Sequence, residues 1–290
     1  MTTTHIPVYP SIFQAIILVV LLVILTVVIG VGLGFALVAA GVEGEGSLGG
    51  PELIGLAGLA NVLSFAVVLA WAVKRTKLPL SLALPFPAVR PMVYLPLIVM
   101  LFGLGIVLSE GDNLVRSFLP IPRFFADLFK DLTSGSMASI LTVVLIAPVT
   151  EELIFRGIIL KGFLNRYRPM TAILVSSLLF ALMHLNPYQF LGAFVMGMTL
   201  AWIFLRTGSL WPCIIGHAIF NSHGMLTKLL PFNIPGYNPQ VLDMQIVEFQ
   251  PLWFTMIGLV AIAAGFFGLA KTFAPGSEGA EARPGISHDR

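Results

Sequence analysis

Residues 138–160 read ASILTVVLIAPVTEELIFRGIIL, a run long enough to cross a bilayer core, which takes about 20 mostly apolar residues. Inside it, Glu151, Glu152 and Arg156 stand where a lipid-facing helix carries leucine. An ionisable group at the centre of a membrane helix costs about 2.5 to 3.5 kcal/mol on insertion scales, so such groups are functional candidates by default. The stretch therefore sets both the class of the protein and the place to look for its chemistry.

The rest of the chain has the same character. Its 290 residues are 57% hydrophobic and only 10% charged, with a mean hydropathy of +0.96. A soluble domain is about one quarter charged. The composition predicts an all-α polytopic membrane protein of about eight transmembrane helices, at 12–39, 53–73, 92–108, 138–160, 170–184, 190–205, 210–230 and 252–273, with the fifth and sixth short. Between the third and fourth, DNLVRSFLPIPRFFADLFKDL is too charged to cross but amphipathic enough to lie on a surface, which predicts an interfacial helix interrupted by Pro120 and Pro122. The glycines of GVGLG, 30–34, fall mid-span, where close helix packing accounts for them better than phosphate binding.

Charge sorting gives orientation independently of hydropathy. With the N-terminus inside, twelve of the sixteen Lys and Arg fall on the inner side, leaving Arg116, Arg123, Lys130 and Lys228 outside. The positive-inside rule then puts both termini in the cytoplasm of what is expected to be a bacterial or archaeal cell membrane. The pI of 8.8 does not signal nucleic acid, because the net charge is only +2 and the basic residues flank apolar segments. Cys213 is the single cysteine, so no intrachain disulfide forms. One integral domain is the simplest count. Within it, 1–135 carries the first three helices and the interfacial helix, 136–225 the polar core, 226–273 a loop and the last crossing, and 274–290 a tail expected to be disordered.

Polar residues within the spans collect in three helices: Glu151, Glu152 and Arg156; His184; and His217, Asn221 and His223. Glu152 and Arg156 are four apart and share a face, in the favourable order for an ion pair, while Glu151 is turned about 100° away. Glu152 then reads as the structural acid and Glu151, without a partner in its own helix, as a general base. Pro148 removes a backbone donor and is expected to kink the helix beside the pair. His217 and Asn221, also four apart, can both donate into a cavity as an oxyanion requires. Phe180 lies one turn before His184 and reads as packing. Counted along their helices, Glu151, His184, His217 and Asn221 lie at matching depth, which permits a shared site.

The ordered set EELIFR (EExxxR), FALMH (FxxxH) and HAIFN (HxxxN), on three separate spans over about residues 136–225, resembles the CAAX-protease and bacteriocin-processing (CPBP or Abi) family of intramembrane glutamate endopeptidases. The resemblance implies an eight-helix fold and peptide hydrolysis without a covalent intermediate. By motif position, Glu151 with His184 would activate water, and His217 with Asn221 would hold the oxyanion. Glu152, Arg156 and Phe180 would support them. The expected partners are a peptide or protein substrate, membrane-associated or lipid-modified, and the bilayer itself, with no nucleic acid. No cofactor or metal is expected. Zinc on two glutamates and two histidines is the alternative. A non-catalytic membrane scaffold, regulator or immunity protein of the same fold is the alternative to an enzyme.

Overall fold

The computed structural model describes residues 9–40, 51–238 and 246–274. The tail expected to be disordered, apart from its first residue, lies outside the described residues. Among the described residues the chain is helical, without strands. It forms α1 (Ile12–Ala39), α2 (Pro51–Thr76), α3 (Tyr94–Phe118), α4 (Arg123–Leu132), α5 (Met137–Leu164), α6 (Pro169–Met183), α7 (Pro187–Thr207), α8 (Trp211–Leu226) and α9 (Leu252–Thr272). This is the polytopic, all-α architecture that the composition predicts.

Six of the rods are long and apolar enough to span a membrane: α1, α2, the stretch Pro91–Phe118 that contains α3, and α5, α7 and α9. The other two are partial. α6 has 15 residues and α8 has 16, so the seventh crossing stops at Leu226 instead of 230, while the sixth, expected to be short, runs 21 residues. Local sequence explains the boundaries around α7. Asn186 caps its start by accepting from Tyr188 N, and Gly208 ends it in the left-handed region at φ 63°, where a side chain would be strained.

The third helix differs from expectation in a different way. It continues to Phe118, taking in residues assigned from the sequence to the interfacial segment. Its polar side chains are satisfied along the rod: Arg116 Nε pairs with Asp112 at 2.9 Å, and Asn113 donates to Glu110 and to the Gly236 carbonyl. Only α4, which begins directly after Pro122, is the expected surface helix. None of its residues is buried. It is held near α7 by Phe125 against the Tyr188 ring and by the Tyr188 hydroxyl donating to Pro120 O at 2.9 Å.

Close helix packing occurs, but not at GVGLG. A Cβ at Gly265 would stand 2.6 Å from Met100 N, and one at Gly103 2.6 Å from Gly258 O, so α3 and α9 touch backbone to backbone. At Gly30 the nearest atom is Ala60 Cβ at 3.7 Å, and Gly32 faces open space. The core gathers around α5, where Phe155 and Phe163 are fully buried together with Phe180 of α6 and Leu97 and Leu101 of α3.

Within α5 the helical register changes twice. Ile140–Ile146 and Leu153–Leu160 are π-helical, and the α-helical turn Ala147–Glu152 lies between them. Wider turns thus flank the two glutamates, where a simple kink at Pro148 was expected. A π turn pairs each carbonyl with the N–H five residues on, as Ala147 N does with Thr142 O. The next carbonyl, Val143 O, would require an N–H from residue 148, and proline has none.

Candidate active site

That missing donor is replaced from another helix. Asn221 Nδ2 of α8 donates to Val143 O at 2.9 Å. The bond is part-buried, and a carbonyl left unpaired away from water costs up to about 1–3 kcal/mol, so it ties α8 to the π turn. Nδ2 carries two hydrogens and Val143 takes one, leaving the other and Oδ1 toward the cavity that Asn221 lines. The sequence reading, which aimed the whole amide at the cavity, missed this half of its role.

Behind the cavity lies a buried charge cluster. Glu152 is fully buried, and its Oε1 accepts from Arg156 Nη1 at 2.8 Å, the ion pair expected from the four-residue spacing. The same oxygen is 2.8 Å from His217 Nδ1. A carboxylate paired to arginine only accepts, so Nδ1 carries the proton and donates, and this fixes the orientation of the ring. The other ring nitrogen, Nε2, lies 3.8 Å from Glu151 Oε2, longer than a hydrogen bond. The Arg156 guanidinium donates through Nη2 to Gly197 O at 3.0 Å and stands over the Phe180 ring at 4.9 Å. Neither the Glu152–His217 contact nor the Gly197 carbonyl is signalled by any motif. The first needs the rotation of α8, and the second needs the approach of α7.

Phe180 is the common wall of the cluster. Its ring meets His184 edge-on at 5.1 Å and His217 at 5.7 Å, and it also carries Arg156. His184 caps the C-terminus of α6, and its Nδ1 donates to Phe180 O at 3.0 Å. With Nδ1 so engaged, Nε2 of the neutral ring is an acceptor.

Glu151, Phe180, His184, His217 and Asn221 all line one cavity of about 340 Å³. Glu151 is only 6% exposed, and its Oε2 has no hydrogen-bond partner among the described residues. One residue earlier, the Thr150 hydroxyl lies 2.9 Å from Asn61 Oδ1, joining α2 to the same turn of α5. His223 stays outside the cavity lining, with Nε2 2.9 Å from the Tyr237 hydroxyl. No group of three or more His, Cys, Asp or Glu side chains among the described residues is arranged to hold a metal ion.

Residues 133–223 match the family model described as Type II CAAX prenyl endopeptidase Rce1-like. Three curated proteins illustrate the likeness. The putative membrane peptidase YdiL of Bacillus subtilis (strain 168) is 31% identical over 87 residues, covering 30% of this chain and 36% of that protein. CAAX prenyl protease 2 of Arabidopsis thaliana is 30% identical over 151 residues, 44% of this chain and 49% of the relative. An uncharacterized 24.3 kDa protein of Escherichia coli is 32% identical over 135 residues, 43% and 62%. The chain thus spans between about one third and three fifths of the length of these relatives. No solved structure matches. The matched stretch contains Glu151, Phe180, His184, His217 and Asn221.

Proposed function

We propose that this integral membrane protein, whose residues 133–223 are Rce1-like, is an intramembrane endopeptidase that hydrolyses a peptide bond near the membrane with water activated by Glu151. The observation that carries the reading is the convergence of Glu151, His184, His217 and Asn221 on one cavity from three helices. Two of the relatives are named as a peptidase and a protease, which favours the same chemistry.

In the proposed reaction Glu151 takes one proton from water while His184 Nε2 accepts the other O–H and orients it. The oxygen attacks the carbonyl carbon of a peptide, and the carbonyl oxygen becomes an oxyanion. His217 Nε2–H and the second Nδ2–H of Asn221 hold that charge, a role that requires His217 to be the imidazolium, with one N–H on Glu152 and the other toward the oxyanion. The intermediate then collapses, the C–N bond breaks, and Glu151 passes its proton to the departing amine. Glu152 and Arg156 touch no substrate. They are positioning residues that hold His217, with Phe180 as the wall against which both histidines rest. The substrate is a peptide or protein at the membrane, and lipid modification of it is part of the proposal only as far as the name of one relative carries it.

The test is comparative proteomics of membrane-proximal and C-terminal peptides in a deletion strain complemented with wild type or with Glu151→Gln at matched expression. A cleaved peptide that needs wild type and is lost with Glu151→Gln is the expected result. Identical peptide profiles, with the phenotype restored by both, would instead support the non-catalytic scaffold.

A further inference from the structure

The two ends of the helix bundle differ in charge, and the cavity belongs to only one of them. Of the twelve inner-side cations, Arg156 is buried at the site, and Arg283 and Arg290 fall outside the described residues, leaving nine. These nine lie at the ends of α2, α7 and α9, before α3, and around the α5–α6 turn. No Asp or Glu among the described residues shares that end. The opposite end holds Arg116, Arg123, Lys130 and Lys228 against the six carboxylates Glu52, Glu110, Asp112, Asp127, Asp131 and Glu248.

The cavity lining beyond the site comes from the carboxylate-bearing end. Asp112 and Val115 belong to the last turns of α3, Leu132 ends α4, and Tyr188 and Gln189 open α7. None of the nine cations contributes to it. Depth agrees. At 1.5 Å per residue the 15 residues of α6 reach about 22 Å from the cationic end. His184, which caps that helix, is therefore about 8 Å short of the far face of a core roughly 30 Å thick.

Cytoplasmic loops are the ones enriched in Lys and Arg. Building on the endopeptidase reading, we propose that the cavity opens to the non-cytoplasmic side and takes an unfolded juxtamembrane segment of an exported or membrane-anchored protein, and not a cytoplasmic tail. A cavity of about 340 Å³ excludes a folded domain, so the segment enters extended.

The sole cysteine makes the test direct, because Cys213→Ser gives a background without thiols. In it, Gln189→Cys and Val115→Cys report on the mouth from two different helices, and Asn165→Cys reports on the opposite end. A membrane-impermeant maleimide is applied to right-side-out and to inside-out vesicles. The expected pattern is that at least one mouth cysteine reacts in right-side-out vesicles only, and Asn165→Cys in inside-out vesicles only. Mouth cysteines that react from the cytoplasmic face, or from neither face until detergent is added, overturn the proposal. Labelling requires no turnover and is repeated with Glu151→Gln. A correct labelling pattern without any cleavage product would remove the protease reading alone, and cleavage with the reversed pattern would remove only the sidedness.

Discussion

His217 Nδ1 lies 2.8 Å from Glu152 Oε1, the same oxygen that takes the Arg156 guanidinium at 2.8 Å. One buried carboxylate oxygen thus fixes a cation of its own helix and an imidazole of another. Its removal leaves Arg156 in the core without its ion pair, and breaking a buried pair from one side costs about 3–5 kcal/mol. Glu152→Ala is expected to lower the unfolding temperature in detergent sharply, while Glu151→Gln, whose carboxylate anchors neither Arg156 nor Asn221, is expected to leave it nearly unchanged. Equal melting curves for Glu152→Ala and wild type would show that the trio does not organise the site.

Asn221 has two separable jobs. Asn221→Ala is expected to slow cleavage about 10²–10³-fold through loss of an oxyanion donor. It should also destabilise the protein by about 1–3 kcal/mol through the exposed need of Val143 O. Adding Pro148→Ala returns a backbone N–H at the position from which a π turn would serve that carbonyl. The double variant should therefore regain stability in thermal unfolding and regain none of the lost rate. Recovery of both together would mean that Asn221 acts through structure alone.

The helix contact between α3 and α9 admits no side chain at Gly265. Gly265→Ala places a methyl against Met100 N and is expected to cost about 1–3 kcal/mol. Gly32→Ala, in open space on α1, is expected to stay within about 0.5 kcal/mol of wild type. Comparable losses at both sites, read by thermal unfolding, would contradict the packing difference.

Metal dependence separates the proposed mechanism from the zinc alternative. Protein dialysed against a strong chelator is expected to cleave its substrate at the undiminished rate. Stoichiometric zinc by elemental analysis, with activity lost on its removal and regained on its return, would establish the alternative.

The helices were legible because membrane spans are written in composition. A run such as 12–39 admits few other readings, and α1 occupies those residues. Boundaries were less legible where satisfaction is long-range: α3 continues past residue 108, and there Asn113 reaches Gly236, far away in sequence. At the site, the Glu152–Arg156 pair follows from a four-residue spacing within one helix. The Glu152–His217 contact, the Gly197 carbonyl and the Val143–Asn221 bond depend on how separate helices rotate and approach, which periodicity does not encode. Pro148 was visible as an anomaly, but the widened register beside it, whose vacant carbonyl is served by an amide from α8, depends on how α8 approaches.

The brevity of α6 also bears on the surrounding lipid. Leu174, Leu178 and Leu182 form an exposed stripe along it, an apolar wall about 22 Å tall beside α1 with its 28 residues. A wall shorter than the bilayer core carries a mismatch cost of fractions of a kcal/mol for each ångström. His184 stands at the end of that wall, so cleavage in vesicles of defined acyl-chain length is expected to vary with bilayer thickness, and an unchanged rate across that series would show the site to be insulated from the lipid.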